Sequence, residues 1–562
     1  MRIRNSFLES MKGESFAFAV IALAALLSRL YPLSMSPYPF NNDSMTEFAI
    51  ASDILNTGHL DFSDDYRYST HSIGIPVFNV VLPFVSAVLG TSPLECGQMI
   101  IAIVSMVTVL GIFLLARLVT GSMLGAVTAG FMAIMMGTFV YTTGSVWKEA
   151  LGISFMMLAL LAFVNRTKLP YRLLLVLLLF VLPVTHHLVT AIVLLTLSLA
   201  VAWSWFLALT GSHLKRRHFE DLLTVALPVA FSYLYYSGIS FGSSPLFTSR
   251  IIFALAPAFF FLLCILVIVM LSRRSHLRIT FAPLVGLGVG ALLVLDYFGF
   301  LFPYTPSAAV LFYMLLVGAT ATLATVAWFG TELILESKPT YRTVQLCLLL
   351  APLAIMGVAV ASGLSYSSHK VIYRSFDFLD IPVFIGIAYS LVFLKQQKRR
   401  AFAVLAVTVI VAASITFPFG FESERLLGVR HDTQPYEVDA LYWLSGRNES
   451  ANVVSDERIA YVSFALLGGF KNNFLPNYLM LNESLAPWSY YFVEDSWTTR
   501  GVNDYPRGEV VIPDENYTKT LMAADVLYIG GPVDDRLQIF RSSGIGQWFI
   551  YGPWTWPPED VD

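Results

Sequence analysis

The sequence predicts a polytopic α-helical membrane protein that carries a soluble α/β domain at its C-terminal end. The 562-residue chain is 56% hydrophobic and only 13% charged, with a mean hydropathy of +0.68, far from the soluble average. Apolar runs of the roughly 20 residues needed to cross a hydrocarbon core recur from residue 16 to residue 417. Beyond Phe417 charged residues, Asn, Asp and Gly rise, and the stretch to Asp562 is long enough for one soluble domain.

The first run, 16 to 34, is too long and too free of a small-residue cleavage site for a removed signal peptide and reads as a retained anchor. Further spans are expected near 98 to 116, 121 to 141, 149 to 165, 171 to 187, 188 to 209 and 220 to 237. Six more follow near 250 to 272, 279 to 298, 307 to 330, 343 to 363, 377 to 395 and 400 to 417. The segment Ile75 to Leu89 is short and holds Pro76 and Pro83, so it is expected to be interfacial or re-entrant.

With that segment kept out of the count, the basic loops fall on one side. They are Arg2/Arg4/Lys12, Arg117, Arg166/Lys168/Arg172, Lys215/Arg216/Arg217, Arg273/Arg274/Arg278, Lys338/Arg342 and Lys395/Lys398/Arg399/Arg400. Lys and Arg stay cytoplasmic, which predicts about thirteen spans in the cell membrane, N-terminus inside and C-terminus outside. The domains are then 1–417, with a first outer loop 35–97, and 418–562. Sequons at Asn448, Asn482 and Asn516 agree with an extracytoplasmic tail. In it, Asn452–Ser455 and Asp525–Gly531 read as buried strands with helices between them.

Composition excludes several classes. The net charge of −3 and basic residues confined to loops leave no nucleic-acid surface. Cys96, Cys264 and Cys347 lie in or beside apolar segments, with neither disulfide-framework nor metal-ligand spacing. The sequence has no Walker loop, dinucleotide fingerprint or zinc spacing.

On this topology the chemically capable residues collect on the outer side. They are Asp43, Glu47, Asp53 and His71 in the first loop, Lys148-Glu149, His186-His187, Arg250, and His369, Lys370, Tyr373 and Arg374. Such residues at span ends are costly without partners, so their convergence is a site hypothesis.

The order of these features resembles the GT-C superfamily of membrane glycosyltransferases, chiefly the protein mannosyltransferases and aminoarabinose transferases, and mainly over the first third. The carriers of the resemblance are Asp43 after the first span, Ala51-Ser52-Asp53-Ile54-Leu55-Asn56-Thr57-Gly58-His59, His71 to Phe78 as the turn before an interfacial helix, and Glu149 in Val146-Trp147-Lys148-Glu149. The resemblance implies transfer of a hexosyl or pentosyl unit from a polyprenyl-phosphate carrier, such as a dolichyl phosphate, to a glycan or protein hydroxyl at the bilayer. Asp43 stands between Asn42 and Ser44 and lacks the second acid of the Asp-Glu or Asp-x-Asp forms. A divalent metal ion is therefore left open as a cofactor, and no other cofactor is implied. The Trp-Trp-Asp-Tyr-Gly motif of oligosaccharyltransferase subunits is absent, Trp488-Ser489-Tyr490-Tyr491 being only superficially alike. Transfer of a single sugar is thus expected over en bloc transfer.

That chemistry needs a base for the acceptor hydroxyl and cations for the departing phosphate. Asp43 is the candidate general base, which predicts inversion; the alternative role is the N-cap of the helix beginning near Met45, and one residue can fill both. Glu47, one turn on, either shares that face or is a solvated first-turn carboxylate, and Glu149 is the second acid. Arg374 offers a guanidinium fork to phosphate or snorkels at the interface. Lys148 and Arg250 are second choices, and Arg29 is expected to snorkel. His186 and His187 line the site or end a helix, and His369 and Lys370 share the late outer loop. Aromatic clusters such as Tyr233–Tyr236 read as an interfacial belt or as sugar platforms. The competing class is a transporter or flippase of lipid-linked saccharide, disfavoured because the spans look nearly free of charge.

Overall fold

The computed structural model describes residues 2–41, 44–60, 74–210, 216–238, 278–297, 310–335, 339–361 and 366–421, then 432–446, 453–467 and shorter stretches between 475 and 542. Asp43, His71, Arg250, Asn448, Asn482 and the span expected near 250 to 272 lie outside the described residues. The chain divides into two units, Met1–Asp432 and Thr433–Asp562.

The first unit is helical. Its elements are α1 (Arg2–Leu30), α2 (Ser44–Thr57), α3 (Val77–Leu89), α4 (Pro93–Thr120), α5 (Met123–Met135), α6 (Gly137–Gly144), α7 (Lys148–Val164), α8 (Leu169–Val181), α9 (His187–Thr210) and α10 (Arg216–Gly238). After them come α11 (Arg278–Tyr297), α12 (Val310–Ile334), α13 (Pro339–Ala361), α14 (Tyr366–Gln397) and α15 (Arg399–Thr416).

Among the described residues, seven helices are long and apolar enough to span a membrane, and a bent pair makes an eighth. The chain is a multi-pass membrane protein. Lipid-facing stripes match this: on α1, Val20, Leu23 and Leu27 are exposed at helical spacing while Ile21 and Ala25 are buried. The segment excluded from spanning forms α3, whose 13 residues reach only about 20 Å. It stops at Gly90, φ 67°, a left-handed conformation that favours glycine. The following helix starts on a reciprocal cap: Ser92 Oγ accepts from Glu95 N–H (3.3 Å) and Glu95 Oε2 accepts from Ser92 N–H (2.9 Å).

The run expected as one span over 121 to 141 is broken. It forms α5 and α6, bent by 71°. The cause is a close approach. A Cβ on Gly137 would lie 1.9 Å from the Thr416 carbonyl oxygen, and Gly137 N–H donates to Thr416 Oγ1 at 3.3 Å. Only glycine admits the backbone of a second helix at that distance.

The second unit holds α16 (Pro435–Ser445), β1 (Val453–Val454), α17 (Glu457–Leu467), β2 (Tyr490–Glu494), β3 (Val502–Asp504), β4 (Gly508–Val510), α18 (Asp514–Met522), β5 (Ala524–Gly530) and β6 (Leu537–Ser542). Four strands make one sheet in the order β1-β2-β6-β5, and β3 and β4 pair as a separate hairpin. β1 runs parallel to β2, while β2 with β6 and β5 with β6 are antiparallel. Its core joins Trp497 and Tyr491 to Val454, Leu475 and Ile512. The strand expected around Asp525–Gly531 forms, but at a sheet edge, with Leu527 and Ile529 exposed rather than buried. Buried Arg458 ties three carboxylates: it donates to Glu437 and to Glu494 Oε1 (2.7 Å) and stands 3.7 Å from Asp456 Oδ2.

Candidate functional site

The site begins where α6 ends. Gly144, Ser145 and Val146 carry the chain out of α6, and α7 starts at Lys148 with Glu149 in its first turn, where the helix dipole favours an acid. Two contacts fix this turn. Val146 N–H donates to Phe40 O (3.2 Å), and the Trp147 indole N–H donates back to Thr142 O (2.6 Å). The segment entering α2 is thereby laid against the start of α7. Asn41, at that entrance, has φ 91°, a strained backbone of the kind that gathers at functional sites.

Two ion pairs cross this junction. Lys148 Nζ lies 3.2 Å from Glu47 Oε1 on α2, both side chains nearly buried. Glu149 Oε2 lies 3.6 Å from Arg374 Nη1 on α14 and 4.0 Å from His186 Nε2 at the start of α9. Adjacent residues on a helix point about 100° apart, so Lys148 and Glu149 serve different partners. Neither Glu149 oxygen accepts a hydrogen bond among the described residues. The guanidinium of Arg374 lies 5.1 Å from the centre of the Trp147 ring, within cation–π range. The rings of His186 and His187 stack at 4.8 Å.

Two groups, Glu47 with Lys148 and Glu149 with His186 and Arg374, are therefore held on successive residues of the first turn of α7, with His187 stacked on His186. His369 and Lys370 fall in the first turns of α14, and their side chains are outside the described set. Among the described residues no group of three or more His, Cys, Asp and Glu side chains could hold a metal ion.

Two readings need correction. Arg29 does not snorkel: it is fully buried, and its guanidinium donates to Ala133 O (2.7 Å), Thr143 Oγ1 (2.9 Å) and Ser28 Oγ (2.8 Å). These lie in the last turns of α5, α6 and α1, where helix dipoles are negative. Nor are the spans nearly free of ionisable residues. Asp377 and Asp380 are buried on α14, and Asp380 Oδ2 accepts from Thr138 Oγ1 at 2.8 Å. Their spacing of three and six residues after Arg374 was the available signal, since i, i+3 and i+6 fall along one side of a helix.

No family model matches the sequence, and no curated protein matches it. Solved structures do. The oligosaccharyltransferase of Archaeoglobus fulgidus in its apo form superimposes with a TM-score of 0.51 at 14% identity, over 82% of this chain and 64% of that one. The same archaeal enzyme in complex with an inhibitory peptide and a dolichol-phosphate gives 0.51 at 12% identity, over 82% and 65%. A mycobacterial arabinofuranosyltransferase, AftD, gives 0.50 at 13% identity, over 93% of this chain and 41% of its own. The chain thus spans just under two thirds of the archaeal enzyme's length. Both neighbours are GT-C glycosyltransferases, and the fold here is the GT-C fold. The likeness extends well past the first third that the sequence motifs mark.

Proposed function

We propose that this protein is a membrane glycosyltransferase that moves a single sugar from a polyprenyl-phosphate carrier to an acceptor hydroxyl of a glycan or protein. The observation that carries the reading is that the first turn of α7 holds two charged groups side by side, Lys148 with Glu47 of α2 and Glu149 with His186 and with Arg374 of α14, on a GT-C fold. The remaining spans, to about thirteen in all, and an extracytoplasmic 418–562 domain complete the proposed topology.

In this reaction Asp43, four residues ahead of Glu47 in the chain, takes the proton of the acceptor hydroxyl. The hydroxyl oxygen attacks the anomeric carbon from the face opposite the leaving group, and the bond from that carbon to the phosphate oxygen breaks. The polyprenyl phosphate departs with the electron pair, and the sugar is inverted. Arg374 suits the departing phosphate because its fork keeps its charge in a partly buried setting, while Trp147 limits where it can swing. Glu149 holds Arg374 through the ion pair at 3.6 Å. Lys148, tied to Glu47, contributes a second positive charge near the same junction, which is how charge developing on a phosphate is stabilised.

The test is transfer by the purified protein in lipid, supplied with polyprenyl-phosphate sugars and a cell glycan extract, with wild type compared with Asp43→Asn. Loss in a folded variant supports Asp43 as base. Undiminished transfer removes Asp43 from that role, and no transfer from any donor removes the transferase reading. Membrane-impermeant labelling of a cysteine placed at the exposed Tyr442 tests sidedness: labelling only from the cytoplasmic side overturns the orientation. A second reading, a flippase of lipid-linked saccharide, draws on the buried acids Asp377 and Asp380. It gains if labelled lipid-linked sugar crosses proteoliposomes without transfer.

A further inference from the structure

The two acidic segments of the proposed site are joined by a buried amide that takes no part in either ion pair. Gln98, near the start of α4, is 1% exposed. Its Oε1 accepts from Phe40 N–H (3.2 Å), and its Nε2 donates to Arg29 O (2.9 Å) and Gly144 O (2.8 Å). Three chain segments end on this side chain: α1, the stretch Phe40–Asn41 ahead of α2, and α6, which runs into Lys148–Glu149. Two of its partners, Arg29 O and Gly144 O, are carbonyls in the last turn of a helix, which lack an intrahelical donor. The third hydrogen bond holds the segment whose Phe40 carbonyl accepts from Val146 N–H.

The surroundings leave the amide little room to move. A Cβ on the neighbouring Gly97 would lie 2.6 Å from the Phe48 ring of α2 and 3.5 Å from Val146, so α2 and the α6–α7 turn both press on this part of α4. Arg29, which supplies one carbonyl to Gln98, uses its guanidinium on Ala133 O and Thr143 Oγ1. The same node therefore holds the bend between α5 and α6.

We infer that Gln98 is a positioning residue: it sets the separation between Phe40–Asn41, on the way into α2, and the Lys148–Glu149 turn, and through them the alignment of the groups that act on donor and acceptor. The catalytic half of this inference rests on the transferase reading, while the clamp itself does not. An amide is the side chain that fits, because the node asks for two donors and one acceptor. Methionine fills the volume and leaves one buried N–H and two buried carbonyls unmet. Glutamate, when ionised, still accepts from Phe40 N–H but offers no proton to the two carbonyls. When protonated it regains one donor.

The experiment uses the full-length protein in nanodiscs, as wild type, Gln98→Met and Gln98→Glu. Hydrogen–deuterium exchange reads the clamp, and transfer from dolichyl-phosphate mannose, dolichyl-phosphate glucose and decaprenyl-phosphate arabinofuranose to a glycan extract reads its consequence. In Gln98→Met, exchange rises in peptides covering Phe40 and Val146 while α9 and α12–α14 are unchanged. kcat falls on the order of 10- to 100-fold, as small misplacements of reacting groups do, with KM for the donor little changed. The activity of Gln98→Glu relative to wild type climbs as the pH is lowered, and that of Gln98→Met stays flat. A role confined to stability would lower the amount of folded protein and leave kcat and the relative pH profile alone.

Unchanged exchange around Phe40 and Val146 overturns the clamp. Raised exchange with an intact kcat overturns its role in alignment. If Gln98→Met does not fold, Gln98→Glu at high pH makes the same comparison. The expected exchange pattern, with no transfer by wild type from any donor, sinks the transferase reading and leaves the clamp standing.

Discussion

Arg374 of α14 stands 3.6 Å from the carboxylate of Glu149 on α7 and over the ring of Trp147, two residues earlier in the chain, so the two residues flanking Lys148 hold a single guanidinium. The carboxylate supplies charge and the indole supplies a flat surface, and a planar delocalised cation exploits both. Replacing Arg374 by Ala is expected to lower the rate of sugar transfer about 100-fold, the usual loss when one stabilising donor is removed. Arg374→Lys keeps the charge without the fork or the stacking, and should recover only part of that rate. Steady-state transfer from a radiolabelled lipid-linked donor measures both. A lysine variant as fast as wild type would mean that a point charge suffices and that Trp147 plays no part.

Lys148 and Glu47 form the second pair, with side chains only 6% and 11% exposed. Taking one member away leaves a charge in a site that has lost its compensation, which costs about 3–5 kcal/mol. Lys148→Met should therefore lower the thermal midpoint in detergent markedly, and Lys148→Met combined with Glu47→Gln should regain most of the loss. If the double variant is as unstable as the single one, the cost lies in packing and not in charge.

Much of this arrangement can be read in the sequence, and the parts that cannot have a common cause. Glu47, Lys148, Glu149, His186 and Arg374 stand out because an ionisable residue at the end of an apolar run needs a reason, and hydropathy alone locates those ends. Ile75–Leu89 stands out because it is too short to cross. Arg29, by contrast, looks like any arginine at a span end. What buries it is the break between α5 and α6, which depends on Gly137 meeting Thr416, a contact far away in the chain. Gln98 is invisible for the same reason, since its three partners come from three segments. Asp377 and Asp380 were in plain view, but the surrounding Phe, Leu and Ile dominate any average over a span.

The break itself can be tested. A methyl group at residue 137 would meet the Thr416 carbonyl oxygen at 1.9 Å, and both partners are backbone held in helices, so neither yields easily. Gly137→Ala is expected to cost about 1–3 kcal/mol through overpacking and, by shifting α6, to slow transfer as well. Gly13→Ala, where a Cβ meets nothing within 4 Å, is the matched control for helix propensity. Scanning calorimetry on the two variants side by side separates the clash from the general effect of losing a glycine. Equal midpoints would remove the close approach as the cause of the bend.

In the second unit Asp456 carries a pH dependence whose sign can be worked out. Burial raises its carboxyl above the usual aspartate range, against the opposing pull of the Arg458 guanidinium, and Glu494 adds to the rise. Arg458 meanwhile stays charged: burial disfavours its cation, but Glu437 and Glu494 outweigh this and hold it above its ordinary range. A carboxyl that binds its proton more tightly folded than unfolded contributes stability below the unfolded pKa of 3.8, and loses it as the pH rises through the folded value. Asn at this position cannot ionise and can still accept from Ile459 N–H, as Asp456 Oδ1 does at 2.9 Å. Asp456→Asn should therefore unfold at a higher temperature than wild type near pH 7, with the difference shrinking as the pH is lowered toward 4. Calorimetry across that range decides it. A difference that grows on acidification would mean that the ionised carboxylate is held by Arg458 more strongly than burial opposes it.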